Sequence, residues 1–184
     1  MKIALIFTID WDDEKHEHII KSILPATDET VSGLSNEWPY VTHHIFDFSA
    51  HDFAGWVAQG MREVPLHCVI MNDPCPGIGF DAFWTRGEAE NLALEWLYGW
   101  DETCDLDENC DGSAWGLLGE EHNPYEVPCF EVVVAGNQLA AYTHGERIAD
   151  AFLVEASIPL SILQEAIAIG ENQPELIAKI RERS

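Results

Sequence analysis

Met1 to Ile9 reads MKIALIFTI, a run rich in apolar and β-branched side chains that is expected to form a buried strand. The run ends in the acidic cluster Asp10, Asp12, Asp13 and Glu14, where the chain should enter a loop. Further on, His18, Ile19, Ile20, Ile23 and Leu24 recur at helical spacing until Pro25, which predicts a helix and then a loop over 26–38. Tyr40 to Phe48 reads as a second strand. Ser49 with Asp52 resembles a capping box for a helix carrying Phe53, Trp56, Val57 and Met61. Leu66 to Met71 reads as a third strand. The turn formers of NDPCPGIG and the extended piece Phe80 to Trp84 then suggest a hairpin.

Thr85-Arg86-Gly87-Glu88 has the form of a capping box, and Ala89, Leu92, Ala93, Trp96 and Leu97 make one face of the helix it opens. Residues 101–128 read as a long acidic loop, a kind of segment that often carries function. Phe130 to Ala135, Leu139 to Thr143 and Arg147 to Glu155 are β-rich runs separated by Gly-Asn and Gly-Glu turns, the pattern of an antiparallel meander. Ser157 and Pro159 open a helix bearing Leu160, Leu163, Ala166 and Ile167, and Pro174 opens a shorter one. The expected class is α/β or α+β: a mixed sheet with flanking helices, a βαβα-like first half, and a meander followed by C-terminal helices. At 184 residues the chain should form a single domain, with 1–64 and 65–184 as the natural subdivision.

Aspartate and glutamate total 33 against 9 lysines and arginines, a formal net charge of −24. Apolar residues still make up 47% of the chain, including 7 Trp and 8 Phe, so the acid should sit on a folded body rather than a disordered tail. Such a field repels nucleic acid and anionic membrane surfaces and attracts basic proteins and divalent cations. Direct binding to DNA or RNA is therefore excluded as an expectation. With no apolar stretch of about 20 residues and no signal-like N-terminus, the expected location is the cytoplasm. Five cysteines (Cys68, Cys75, Cys104, Cys110, Cys129), an odd number without a CxxC, read mostly as reduced thiols.

Between Val64 and Glu146 the only basic residue is Arg86, against sixteen acids. Because duplex DNA carries one charge per about 1.7 Å of axis, a rigid acidic face of this kind suits the basic cleft of a nucleic-acid-binding protein. The candidate contact set is Asp81, Glu88, Glu95, Asp101, Glu102, Asp105, Asp107, Glu108, Asp111, Glu120 and Glu121, with Trp100 and Trp115 as apolar anchors flanking the acidic loop. In composition the chain resembles the small acidic inhibitors that phages and plasmids direct against restriction and other defence nucleases. That resemblance covers no motif. The leading expectation is thus a non-catalytic interaction protein, a nucleic-acid mimic that inhibits a basic-cleft partner; the bland alternative is a salt-adapted domain that mimics nothing.

A second alternative is a divalent-metal phosphoester hydrolase. If strand ends converge as in open α/β sheets, then Asp10, Asp12 and Asp13, Asp47, and Asn72 with Asp73 supply hard oxygen ligands for Mg²⁺, with Asp10 and Asp12 catalytic and Asp73 a further ligand. Ile6 to Asp12, in the form hhhhDxD, resembles the first motif of aspartate-nucleophile phosphohydrolases, over about a dozen residues. The chain departs from that pattern at Asp13, where the family wants Thr or Val, and Lys179 is the only lysine beyond Lys21. Asp107, Asn109, Asp111 and Gly112 match the first half of an EF-hand loop for Ca²⁺, but position twelve is Leu118. No cofactor is expected on the leading reading. The pairs His16/His18 and His43/His44 are spaced to diverge rather than chelate, Cys75 between Pro74 and Pro76 reads as a turn cysteine, and no GxSxG, P-loop, HExxH or GxGxxG occurs.

Overall fold

The computed structural model describes residues 1–15, 17–35, 37–73, 77–99, 130–143 and 145–181. Helices and two antiparallel sheets make an α+β fold, one of the two classes expected. In chain order the elements are β1 (Lys2–Asp12), β2 (Glu17–Pro25), α1 (Asp28–Ser32), β3 (Tyr40–Asp47), α2 (Ala50–Ala58), β4 (Glu63–Asp73), β5 (Gly77–Phe83), α3 (Arg86–Tyr98), β6 (Phe130–Ala135), β7 (Gln138–Thr143), β8 (Glu146–Pro159), α4 (Leu160–Asn172) and α5 (Pro174–Arg181). One sheet has the order β2-β1-β3 and the other β5-β4-β8-β7-β6. By contacts the chain forms two compact units, Met1–Cys68 with Phe80–Thr85 and Val154–Ser184, and Val69–Gly79 with Arg86–Leu153.

In the first unit β1 is the central strand, paired antiparallel with β2 on one side and β3 on the other. Its middle, Ile3 to Phe7, is apolar without a break because both of its faces are covered. Ile3, Leu5 and Phe7 enter a core with Phe46, Phe48, Leu66, Ile158 and Leu163, while Ala4 and Ile6 on the other face meet Val31 of α1 and Leu176, Ile177 and Ile180 of α5. On α4, Gly170 lies so close to this strand that a Cβ there would sit 2.5 Å from the Lys2 carbonyl oxygen. Only glycine lets the helix backbone approach that closely.

The helix expected over His18 to Leu24 is instead strand β2. Ile19, Ile20 and Ile23 are β-branched, stiff at χ1 and suited to a pleated surface, and Ile20 and Ile23 pack on the core. The apparent helical spacing comes from a bulge: Thr8 pairs with Ser22 but Ile9 pairs with Ile20, leaving Lys21 as an extra residue that breaks strict alternation. Pro25 then ends an edge strand rather than a helix, where its missing N–H removes nothing from the ladder. The stretch expected to be loop contains α1, whose N-cap Thr27 and Thr30 satisfy each other's backbone amides in a capping box. The first half is therefore ββαβα, with antiparallel pairing where a βα alternation was expected.

Most of the remaining elements follow their sequence signals, but Ser157 does not open a helix: it lies in β8, its hydroxyl donates to Glu63, and α4 starts at Leu160 with Pro159 at its N-cap and no side-chain cap. Ser49 caps α2 by accepting from the His51 amide. Phe53 and Trp56 of α2 pack on the core, while Val57 is exposed. Cys68 on β4 is a free, buried thiol, and burial pushes its pKa up to about 12, so it stays protonated and unreactive. In the second unit β6, β7 and β8 form the expected meander. The tight β6–β7 turn places Gly136 at φ 66°, a conformation that favours glycine and matches strand twist. Among the described residues, no helix is long and apolar enough to cross a membrane.

Candidate interaction surfaces

Helix α3 buries Ala89, Ala93 and Leu97, spaced four residues apart, and this fixes its opposite side toward solvent. Glu88 and Glu95 are both exposed, and at seven residues apart they share a face. At 1.5 Å of rise per residue they stand about 10 Å apart along the axis, close to three nucleotide rises of a duplex strand. The local base, Arg86, is engaged: its Nε donates to Glu90 Oε1 at 2.6 Å and its Nη2 to Asn137 Oδ1 at 3.2 Å. Arg86 thus offsets Glu90 one turn along the helix.

Asp81 belongs to the first unit and does a different job. It stands 3.1 Å from His44 Nδ1, and His44 in turn packs edge-on against Phe46 at 4.4 Å. The neighbouring His43 has its pKa lowered, by desolvation first and then by the proximity of His44. Asp81 is only partly exposed and already has a cationic partner whenever His44 is protonated, which makes it a weaker contact candidate than the glutamates of α3.

The strand-end aspartates do not converge as an open parallel sheet would require, because β1 and β3 run antiparallel. Asp47 pairs in register with Lys2, at the opposite end of β1 from Asp10 and Asp12, and its carboxylate bonds the Lys2 ammonium at 2.9 Å. Asp10 is held by the ammonium of the bulge residue Lys21 and accepts from the Trp11 amide at 2.9 Å; these bonds, Lys21 first, lower its pKa. Asp12 Oδ1 accepts from the amides of Glu14 (3.0 Å) and Lys15 (3.2 Å), which closes the β1–β2 turn. Both carboxylates called catalytic on the hydrolase alternative are thus engaged in building the hairpin. Asp73 ends β4 in the second unit. Among the described residues no group of three His, Cys, Asp or Glu side chains is placed to hold a metal ion.

One buried carboxylate does have a built environment. Asp150 on β8 accepts from Asn72 Nδ2 at 2.8 Å through one oxygen and meets Arg147 Nη2 at 2.5 Å through the other. With its partners supplied on both oxygens, the charge is tolerated in a nearly closed site, and its role is structural.

A surface that composition did not reveal lies at the turn end of the first sheet. Trp11 pairs across the hairpin with His18, and their rings meet edge to face at 4.9 Å. Trp38 stacks on the same imidazole, 5.6 Å away and 10° from parallel, and Tyr40 meets Trp38 edge-on at 5.1 Å. His18 is buried beneath them, yet Trp11 keeps 37% and Trp38 49% of its surface exposed. The sequence signal was the pair of short segments DWDD and EWPY, in which tryptophan sits among acids and a turn-forming proline. The anchors chosen from sequence, Trp100 and Trp115, lie outside the described residues. So do Asp101, Glu102, Asp105, Asp107, Glu108, Asp111, Glu120 and Glu121, and Asn109 of the EF-hand-like stretch.

Searches of family models, curated proteins and solved structures find no match to this chain.

Proposed function

We propose that this chain is a non-catalytic inhibitor that presents carboxylates to the basic cleft of a nucleic-acid-binding protein, in the place a polyanion would take. A nuclease that defends against phage or plasmid DNA is the class of partner it suits. The observation that carries this reading is the fate of the positive charge. Of the 9 lysines and arginines of the chain, Lys2, Lys15, Lys21, Arg86, Arg147 and Lys179 are seen, among the described residues, in ion pairs with carboxylates of the same chain. Even one-to-one pairing of all nine would leave the −24 excess intact, so neutralisation has to come from outside the chain. A folded scaffold supports the same reading, since a helix such as α3 holds its glutamates at fixed spacing and a partner spends little ordering them.

The field would speed encounter with a basic protein, while selection among basic partners would come from contacts that charge alone does not supply. The first test is retention on the immobilised protein. A purified basic-cleft nuclease should be held at about 50 mM salt and released, with affinity reduced by tenfold or more, at about 500 mM, where the Debye length has shrunk to a few ångströms. Retention that does not change with salt would overturn the proposal, because an apolar interface without electrostatic steering would then be sufficient.

A further inference from the structure

We infer that the aromatic cluster of Trp11, His18, Trp38 and Tyr40 is a guanidinium-binding platform, which anchors an arginine side chain of the basic partner. The inference rests on the reading of this chain as a ligand for basic proteins and names the contact that would give it selectivity. Three features of the cluster lead to this ligand. The rings are braced against one another, with the buried His18 meeting Trp11 at a steep angle and stacked on Trp38, so the platform needs little ordering on binding. Large aromatic area remains in water, as the exposures of Trp11 and Trp38 show. The chain on either side of these rings is acidic: Asp12, Asp13, Glu14 and Glu17 belong to the hairpin, and Glu37 precedes Trp38 and is exposed.

Those features discriminate among ligands. An anion would be repelled by the carboxylates. A purely apolar partner surface would cover the rings but strip water from the adjacent acids without pairing them. A cation meets both needs, since aromatic faces attract positive charge and the carboxylates accept its hydrogen bonds. Between the two cationic side chains, the planar and weakly hydrated guanidinium stacks on indole and forks onto carboxylates, whereas an ammonium is a strongly hydrated point charge. Lys15 in the turn is drawn to Asp12 and Glu17, at 3.9 and 3.5 Å. Among the described residues, Asp13 and Glu14 in the hairpin turn and Glu37 beside Trp38 stand in no ion pair with a lysine or arginine and are the acids a partner arginine would engage.

The test compares two probes of equal charge, an arginine hexapeptide and a lysine hexapeptide with blocked ends, by titration calorimetry on the full chain at low salt. The arginine peptide should bind about three- to tenfold more tightly. Trp38→Ala should abolish that preference while leaving lysine-peptide affinity near its original value, and Trp38→Phe, which keeps a smaller ring, should retain part of it. Trp38 is half exposed, and a matching thermal transition would confirm that the variants are folded. Equal binding of the two peptides, or a preference that survives Trp38→Ala, overturns the platform and leaves the polyanion reading standing. Failure of both peptides to bind overturns the two together.

Discussion

Phe7→Ala is expected to reduce the unfolding free energy by about 3–5 kcal/mol, the range for emptying a buried aromatic site. Phe7 has no solvent exposure, sits at the middle of the central strand, and lies 4.8 Å from the Phe80 ring with the planes tilted by 48°. The strand is paired with β2 on one side and β3 on the other, which opposes the shift that would close the void. Folded domains are typically stable by only about 5–15 kcal/mol, which makes this a large fraction of the total. Urea denaturation followed by far-UV circular dichroism would measure it. Val57→Ala on the exposed side of α2 serves as the control and should stay within about 0.5 kcal/mol of the parent. A Phe7 variant no less stable than that control would mean that the double-sided burial of β1 is wrong.

The second large effect should come from Asp150→Ala, at about 2–3 kcal/mol, the cost of stranding hydrogen-bonding partners of a buried charge. Two groups lose their acceptor. The Asn72 amide is part-buried and would be left without the 2.8 Å bond, whereas the half-exposed Arg147 guanidinium can recover water. That asymmetry predicts an order among variants. Asp150→Asn retains an acceptor oxygen but not the charge, so it should cost roughly half as much, by the difference between neutral and charge-assisted bonds. The same denaturation experiment reads both variants. An Asp150→Ala protein within about 0.5 kcal/mol of the parent would show that the pairings with Asn72 and Arg147 contribute nothing net.

How much of this was legible in the sequence varied with the kind of signal. Where apolar periodicity and turn chemistry agreed, as at β1, α3, the β6–β8 meander and the Pro174 helix, the elements could be read directly. The segment from His18 to Leu24 misled because a bulge at Lys21 shifts a strand's alternation into something that resembles a helical repeat. The direction of pairing was the larger omission. Strand sequences do not say whether neighbours run parallel or antiparallel, and that one fact places Asp47 at the far end of β1 from Asp10 and Asp12. The charge excess was readable by counting, but which tryptophans stay exposed depends on packing. Trp84 and Trp56 lie 5.2 Å apart against the core, while Trp38, no more polar than either, stays half in water.

The most direct measurement of the central claim is competition with nucleic acid for a single cleft. A basic-cleft nuclease held in complex with this protein at low salt should be displaced by increasing duplex DNA and not by an equal mass of neutral polymer. Mutual exclusion, with each ligand weakening the other's binding in proportion to its concentration, is the result that substitution for a polyanion requires. A ternary complex in which duplex and acidic protein are bound together, with no loss of affinity for either, would contradict it.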